Sequence, residues 1–111
     1  MDTVNEECRG TVAISNRTIM KIVGMAIQEM HEIMALMEGK TRRTNRKDFY
    51  KAIGLTVSGA QVTISISPVI RLGVPLQQIS RRLQDSIKSH VEKMTGLAVS
   101  QVHVTVCGII P

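Results

Sequence analysis

The spacing of hydrophobic residues changes repeatedly along this chain, from steps of two to steps of three and four and back again. Steps of two indicate strands with one buried face, and steps of three and four indicate helices. The order predicts strand, helix, two strands, helix and strand. Because 111 residues is the length of one domain, we predict a single domain over residues 1–111. Its fold class would be α+β, a two-layer sandwich in which two helices cover one face of a four-stranded, antiparallel or mixed sheet.

Two helices of different character are predicted. The first would span residues 17–37, with Ser15 or Asn16 as its cap, and five methionines make it apolar on more than one side. The second would have Pro75 in its first turn and end at Thr95-Gly96, because proline suits a helix start and glycine a helix end. Its apolar residues form one narrow stripe, made of Leu76, Ile79, Leu83, Ile87, Val91 and Met94.

Four strands are predicted around these helices. The first would cover residues 11–15, and a hairpin would join residues 53–57 to residues 62–66 through a turn at Gly59. Pro68 would weaken the end of the second hairpin strand or mark a sheet edge. The last strand would cover residues 99–106, with a bulge at Ser100–Gln101 because Val99 breaks the alternation of the valines that follow it.

The net charge of +5 is concentrated in one segment. Residues 40–51 alone carry a balance of +5, and the remaining charges cancel. We predict a solvated loop there, with a short turn at residues 48–51, since the segment has no apolar period. Basic clusters attract phosphate and anionic lipid head groups, so the candidate polyanion-binding residues are Lys40, Arg42, Arg43, Arg46, Lys47 and Lys51. The alternative is a loop that only keeps the protein soluble.

Aromatic residues are scarce: the chain has one Phe, one Tyr and no Trp. This scarcity argues against a stacking platform for single-stranded nucleic acid. Phe49 and Tyr50 are expected to attach the basic segment to the core, and the alternative is a single stacking contact with a base.

The methionine-rich first helix has more apolar surface than one partner helix would cover. Methionine adapts to irregular core gaps and also to contact surfaces. Core filling is one interpretation. The other is self-association through Met20, Ile27 and Met34, which would make the protein a homo-oligomer.

No catalytic or metal-binding motif is present in the sequence. Zinc-ligand spacing, phosphate-binding loops and nucleophile elbows are absent. His31, His90 and His103 have no acidic or metal-ligating neighbours at useful spacing. We therefore expect no enzyme activity, no metal, no cofactor and no small-molecule substrate.

The sequence also lacks a membrane-spanning run, which takes about 18–20 apolar residues. Residues 1–9 contain three acids and no apolar stretch, so they do not have the pattern of a signal peptide. We expect residues 1–9 to be flexible and the protein to be cytoplasmic.

Several segments resemble the alkaline-shock-protein family, which comprises envelope-stress proteins of Gram-positive bacteria. The most distinctive is Met94-Thr95-Gly96-Leu97, followed by alternating valines up to Gly108. The opening strand at residues 10–15, Ile22-Val23-Gly24 and the hairpin near residues 57–66 are also similar to the family. The resemblance covers about residues 9–110.

This resemblance implies a non-enzymatic interaction module in cell-envelope homeostasis, found near the membrane through a membrane-anchored protein partner. Family members have no active-site residues to transfer to this chain. Self-association and partner docking would be its mode of action. The alternative function is a small module that binds RNA or anionic lipid through residues 40–51.

Overall fold

The fold is that of a computed structural model, which describes residues 14–111. It confirms the predicted α+β class, with two α-helices, a 3-10 helix and seven strands in the described range. The predicted first strand at residues 11–15 and the predicted flexible terminus at residues 1–9 lie outside the described residues, apart from Ile14 and Ser15. In chain order the elements are α1 (Asn16–Gln28), β1 (Ile33–Glu38), β2 (Thr41–Arg43), the 3-10 helix (Arg46–Ala52), β3 (Gly54–Ser58), β4 (Gln61–Ile66), β5 (Pro68–Arg71), α2 (Leu76–Thr95), β6 (Ala98–Val104) and β7 (Gly108–Ile110).

The predicted strand and helix order and the two-layer sandwich with one four-stranded sheet are not confirmed. The strands form two mixed sheets, with the orders β2-β1-β5-β7 and β3-β4-β6. The pairs β4–β6 and β5–β7 are parallel, and the other pairs are antiparallel. Only Ser67 separates β4 from β5, and hydrogen bonds continue across the junction. The amide of Thr105 donates to the carbonyl of Ile66 at 3.0 Å, and that of Cys107 to Pro68 at 2.9 Å. The segment that contains β4 and β5 therefore runs parallel to the segment that contains β6 and β7, and together they connect the two sheets.

The predicted first helix is too long. α1 begins as expected, with the Ser15 hydroxyl accepting a hydrogen bond from the Thr18 amide at 3.1 Å, but it ends at Gln28. Residues 33–38 instead form β1, which lies between β2 and β5. A central strand that is buried on both faces has a continuous apolar sequence, which hydrophobic spacing alone does not distinguish from a buried helix.

The basic segment is not a solvated loop. It contains β2 and the 3-10 helix, preceded by a turn in which Gly39 has a φ of +61°. The Asn45 side chain caps the 3-10 helix by accepting from the Lys47 amide at 3.0 Å. Phe49 is fully buried in the core, which confirms the expectation that this aromatic residue attaches the segment.

The second helix agrees with its prediction, since α2 spans Leu76–Thr95 and ends at Gly96 with a φ of +75°. Its buried residues are Ile79, Leu83, Ile87 and Val91. Met94, assigned to the same stripe, is 59% exposed because it lies in the last turn, beyond the packed part of the helix.

The hairpin and the bulge are also confirmed. In the hairpin, Val57 pairs with Val62 across a turn at Gly59, which has a φ of +61°. The register of β6 skips Ser100, so the predicted bulge lies there. Pro68 is not at an edge: it begins β5, between β1 and β7. A proline is tolerated as the first residue of a strand.

One hydrophobic core joins the helices and strands. α1 packs against the 3-10 helix and α2, and α2 packs against β6. Val62, Ile64, Leu83 and Ile87 are fully buried in one cluster, with Val104 partly buried against it. Within residues 14–111, no helix is long and apolar enough to span a membrane.

Arg46 connects the end of α1 to β1. Its Nη2 donates to the carbonyl oxygens of Gln28 and Met30, each at 2.8 Å, and its Nη1 donates to the carbonyl oxygen of Ile33 at 2.9 Å. The last carbonyl groups of a helix have no partner within it, and α1 has no basic residue in its last turn. The guanidinium therefore supplies donors that the local sequence lacks, and its five N–H groups allow several such bonds.

We expect Leu83→Ala to destabilise the protein by about 2–5 kcal/mol, because it leaves a cavity in the shared core. Urea unfolding followed by circular dichroism measures the change. Met94→Ala, a truncation at the exposed C-terminal end of the same helix, is the control and should cost less than about 0.5 kcal/mol. Equal losses for the two variants would contradict the described core.

Arg46→Gln should destabilise the protein by about 1–3 kcal/mol, because it removes donors from partly buried carbonyl groups. Arg46→Lys should restore little of this loss, since a compact ammonium cannot reproduce the planar fork. Arg42→Gln removes an exposed arginine from the same segment and is the control. Unfolding free energies that agree for Arg46→Gln and Arg42→Gln would show that Arg46 has no structural role.

Candidate interaction surface

The six predicted polyanion-binding residues do not share one surface. Arg46 points its guanidinium at the backbone carbonyl groups described above. Arg43 forms an ion pair across the β1–β2 hairpin, with 2.6 Å between its Nη2 and Oε1 of Glu38. These two arginines are therefore engaged within the fold.

The other four predicted cations are exposed. Lys40 and Arg42 belong to the β1–β2 hairpin, whereas Lys47 and Lys51 project from the 3-10 helix. Lys51 is 3.5 Å from Asp48, in an exposed ion pair. Exposed pairs of this kind contribute little to stability, so Lys51 remains available to an incoming anion.

Two further cations, which the sequence reasoning missed, join the exposed lysines of the 3-10 helix. The Arg17 Cζ is 6.0 Å from the centre of the Tyr50 ring, and the Lys21 Nζ is 5.5 Å from it. The Lys51 Nζ lies 6.0 Å from the same centre. The four-residue spacing of Arg17 and Lys21 on a predicted helix was the one feature of the sequence that could have identified them as neighbours on one surface. We call the surface formed by Arg17, Lys21, Lys47, Tyr50 and Lys51 the basic-aromatic face.

The basic-aromatic face depends on close packing of α1 against the 3-10 helix. A Cβ atom on Gly24 would lie 3.2 Å from both the Cβ and the backbone nitrogen of Tyr50. Glycine at this position thus allows the two helices to approach closely. Between them lies a shallow depression of about 330 Å³, lined by Lys21, Met25, Gln28, Lys47 and Tyr50.

The three residues predicted for self-association are separated in the structure. Ile27 is fully buried in the core, so this residue cannot form a surface contact in the folded chain. Met20 lies on α1 and Met34 on β1, and both are half-buried. They do not form one helical face because the predicted helix ends before Met34.

Exposed apolar side chains lie elsewhere, at one end of the four-stranded sheet. Leu72 is 62% exposed and Ile109 is 46% exposed. They are close in the structure, since Ile109 is paired with Ile70 and the Leu72 amide donates to the carbonyl of Ile110. We call Leu72 and Ile109 the sheet-end patch. Its two residues come from distant parts of the sequence, so spacing alone could not bring them together.

Charged groups between α1 and β1 face α2. The pKa of Glu32 is lowered, first by a backbone hydrogen bond and then by the nearby Arg82 guanidinium, whose Nη1 is 3.4 Å from Oε2 of Glu32. The His90 Nε2 is 3.8 Å from Oε2 of Glu29. These contacts link α2 to the turn after α1. Among residues 14–111, no group of three or more His, Cys, Asp and Glu side chains is arranged to hold a metal ion.

Comparison with curated proteins identifies relatives of similar length. The chain is 24% identical to the uncharacterised protein YloU of Bacillus subtilis (strain 168), with 90% of this chain and 88% of the relative covered. It is 26% identical to the uncharacterised protein Spy1614 of Streptococcus pyogenes serotype M6, with 90% of this chain and 88% of that protein covered. Comparison with solved structures found no match.

Comparison with protein families gives a match over nearly the whole chain. The profile of the alkaline shock protein 23 family, which is the alkaline-shock-protein family and is described as having a cell envelope-related function, matches residues 4–111. This agrees with the resemblance noted in the C-terminal Met-Thr-Gly-Leu segment and in the valine alternation after it. The chain belongs to the alkaline-shock-protein family.

Proposed function

We propose that the chain is a non-enzymatic, cytoplasmic interaction module that acts in cell-envelope homeostasis by self-association and by docking to a membrane-anchored protein. The family's cell envelope-related function supports the biological setting. The sheet-end patch supports the mode of action, because two large apolar side chains are exposed on neighbouring backbone segments of one sheet. Contiguous exposed apolar residues commonly mark protein–protein contacts.

The distribution of polar groups also favours an interaction module. Among residues 14–111, no polar or charged residue is buried. Catalytic groups are commonly found where burial and neighbouring charges shift their pKa values strongly. Here most charged side chains lie at the surface, where they can contact a partner, and the core is apolar.

The position of the sheet-end patch suggests how copies would associate. In the described range, β7 pairs with β5 on one side, and β5 lies between β1 and β7. Burying Leu72 and Ile109 against a second copy would remove apolar surface from water, which is the main favourable contribution in most protein associations. We propose that this patch, rather than Met20, Ile27 and Met34 together, provides the self-association contact.

We expect the wild-type chain to sediment as a dimer or a larger species at micromolar concentration. The double variant Leu72→Ser and Ile109→Ser should weaken association by about tenfold or more, because each apolar side chain contributes about 1.5–3 kcal/mol when fully buried. Sedimentation velocity over a concentration series measures the change.

Met94→Ser is the matched control for this experiment, since it also removes an exposed apolar side chain, which is 59% exposed at the end of α2. It should leave the sedimentation profile unchanged. A wild-type chain that stays monomeric at high concentration would contradict self-association. Association that is insensitive to the double variant would exclude the sheet-end patch as its contact.

A further inference from the structure

The basic-aromatic face combines four cations with one aromatic ring on two packed helices. Arg17 and Lys21 are four residues apart on α1, and Lys47 and Lys51 are four residues apart on the 3-10 helix. Tyr50 lies between the two pairs. Because Gly24 brings the helices into close contact at Tyr50, side chains that are distant in sequence converge on one surface.

The charge of this face is poorly compensated within the described range. Among the carboxylates of residues 14–111, none lies within ion-pair distance of Arg17, Lys21 or Lys47, and Asp48 pairs only with Lys51. Like charges that converge without an acidic partner repel one another. An anionic partner would relieve this repulsion, so the face is complementary to a negatively charged surface.

The shape of the face indicates an extended partner. Pockets for small molecules are concave and enclose most of the ligand's surface, whereas this depression is shallow and open to solvent. Its lining also includes Met25, which is 50% exposed. A cationic surface with a tyrosine and an exposed apolar side chain has the composition of a membrane-interface contact, where tyrosine lies at the level of the head groups.

Single-stranded nucleic acid fits this face less well. Binding of single strands depends on successive aromatic platforms on which bases stack. The chain has only Phe49 and Tyr50 as aromatic residues. Phe49 is fully buried, and cationic groups lie 5.5 to 6.0 Å from the centre of the Tyr50 ring. The observations therefore favour lipid over RNA.

We infer that the basic-aromatic face binds the head groups of an anionic lipid bilayer. Arg17, Lys21, Lys47 and Lys51 would contact lipid phosphates, while Tyr50 and Met25 would lie at the interface. This goes beyond the proposed function, because the chain would then contact the membrane directly and not only through a protein partner. Either contact can exist without the other.

The test is flotation of the full chain with vesicles of phosphatidylglycerol and phosphatidylcholine, compared with vesicles of phosphatidylcholine alone. Wild-type protein should float with the anionic vesicles only, and less at raised salt. A basic residue near an anionic surface contributes about 1 kcal/mol, which is about fivefold in binding. The triple variant Arg17→Gln, Lys21→Gln and Lys47→Gln should therefore bind about 100-fold more weakly.

The triple variant Arg81→Gln, Lys88→Gln and Lys93→Gln is the matched control, because it removes the same charge from exposed positions on α2. It should lose less than about fivefold, since charges away from the lipid act only through the screened long-range field. Thermal unfolding would check that both variants are folded.

Three results would overturn the assignment. One is the absence of wild-type binding to anionic vesicles at low salt. Another is equal loss of binding in the two triple variants, which would show that net charge alone is responsible. The third is preferential binding of the wild-type chain to a single-stranded RNA that competes it off the vesicles. None of these results depends on sedimentation behaviour, so failure here is separate from failure of the proposed self-association.

Discussion

The carbonyl groups at the end of α1 need hydrogen-bond donors, and much of the structure around them depends on where those donors come from. Helices commonly end with a glycine or a nearby basic residue, but the last turn of α1 has no basic residue. The guanidinium of Arg46 supplies the donors from the 3-10 helix and also reaches the carbonyl of Ile33 in β1. One side chain thus joins a helix, a strand and the segment that follows them. By holding the 3-10 helix against α1, Arg46 also brings Tyr50 next to Gly24, which creates the basic-aromatic face.

The parts of the fold that could be predicted are those specified by local sequence. The α2 stripe, the left-handed Gly96 and the parity change at Val99 each have a nearby physical cause, and all three are confirmed. The predicted first helix was too long because β1 is buried on both faces. Its apolar residues are as closely spaced as those of a buried helix. Hydrophobic spacing indicates which residues are buried, but it does not show that α1 ends at Gln28. That helix end is stabilised by Arg46, which is distant in sequence.

The charged residues show the same limit. Arg42, Arg43 and Arg46 are close in sequence, but Arg42 is exposed, Arg43 pairs with Glu38 and Arg46 binds backbone carbonyl groups. The charge distribution of the sequence identified the basic segment. Only the tertiary structure shows which of its cations are engaged within the fold and which are exposed. Of the exposed members, Lys47 and Lys51 have Arg17 and Lys21 as neighbours around Tyr50. The proposed site therefore shares only Lys47 and Lys51 with the predicted one and includes residues of α1. This alkaline-shock-protein chain therefore has two separate candidate interaction surfaces, the apolar sheet-end patch and the cationic basic-aromatic face.

The fold around α1 depends most on the engagement of the Arg46 guanidinium with backbone carbonyl groups, which can be observed directly by NMR. The Arg46 Nε–Hε group donates to the carbonyl oxygen of Gln28 at 3.2 Å. Its resonance would be assigned by its loss in Arg46→Lys, and its exchange with solvent compared with that of the Arg42 Nε–Hε group in the same sample. Hydrogen bonding in a partly buried site should slow the exchange of the Arg46 proton well below that of exposed Arg42. Exchange of the Arg46 proton as fast as that of Arg42 would contradict this engagement, because it would place the guanidinium in solvent.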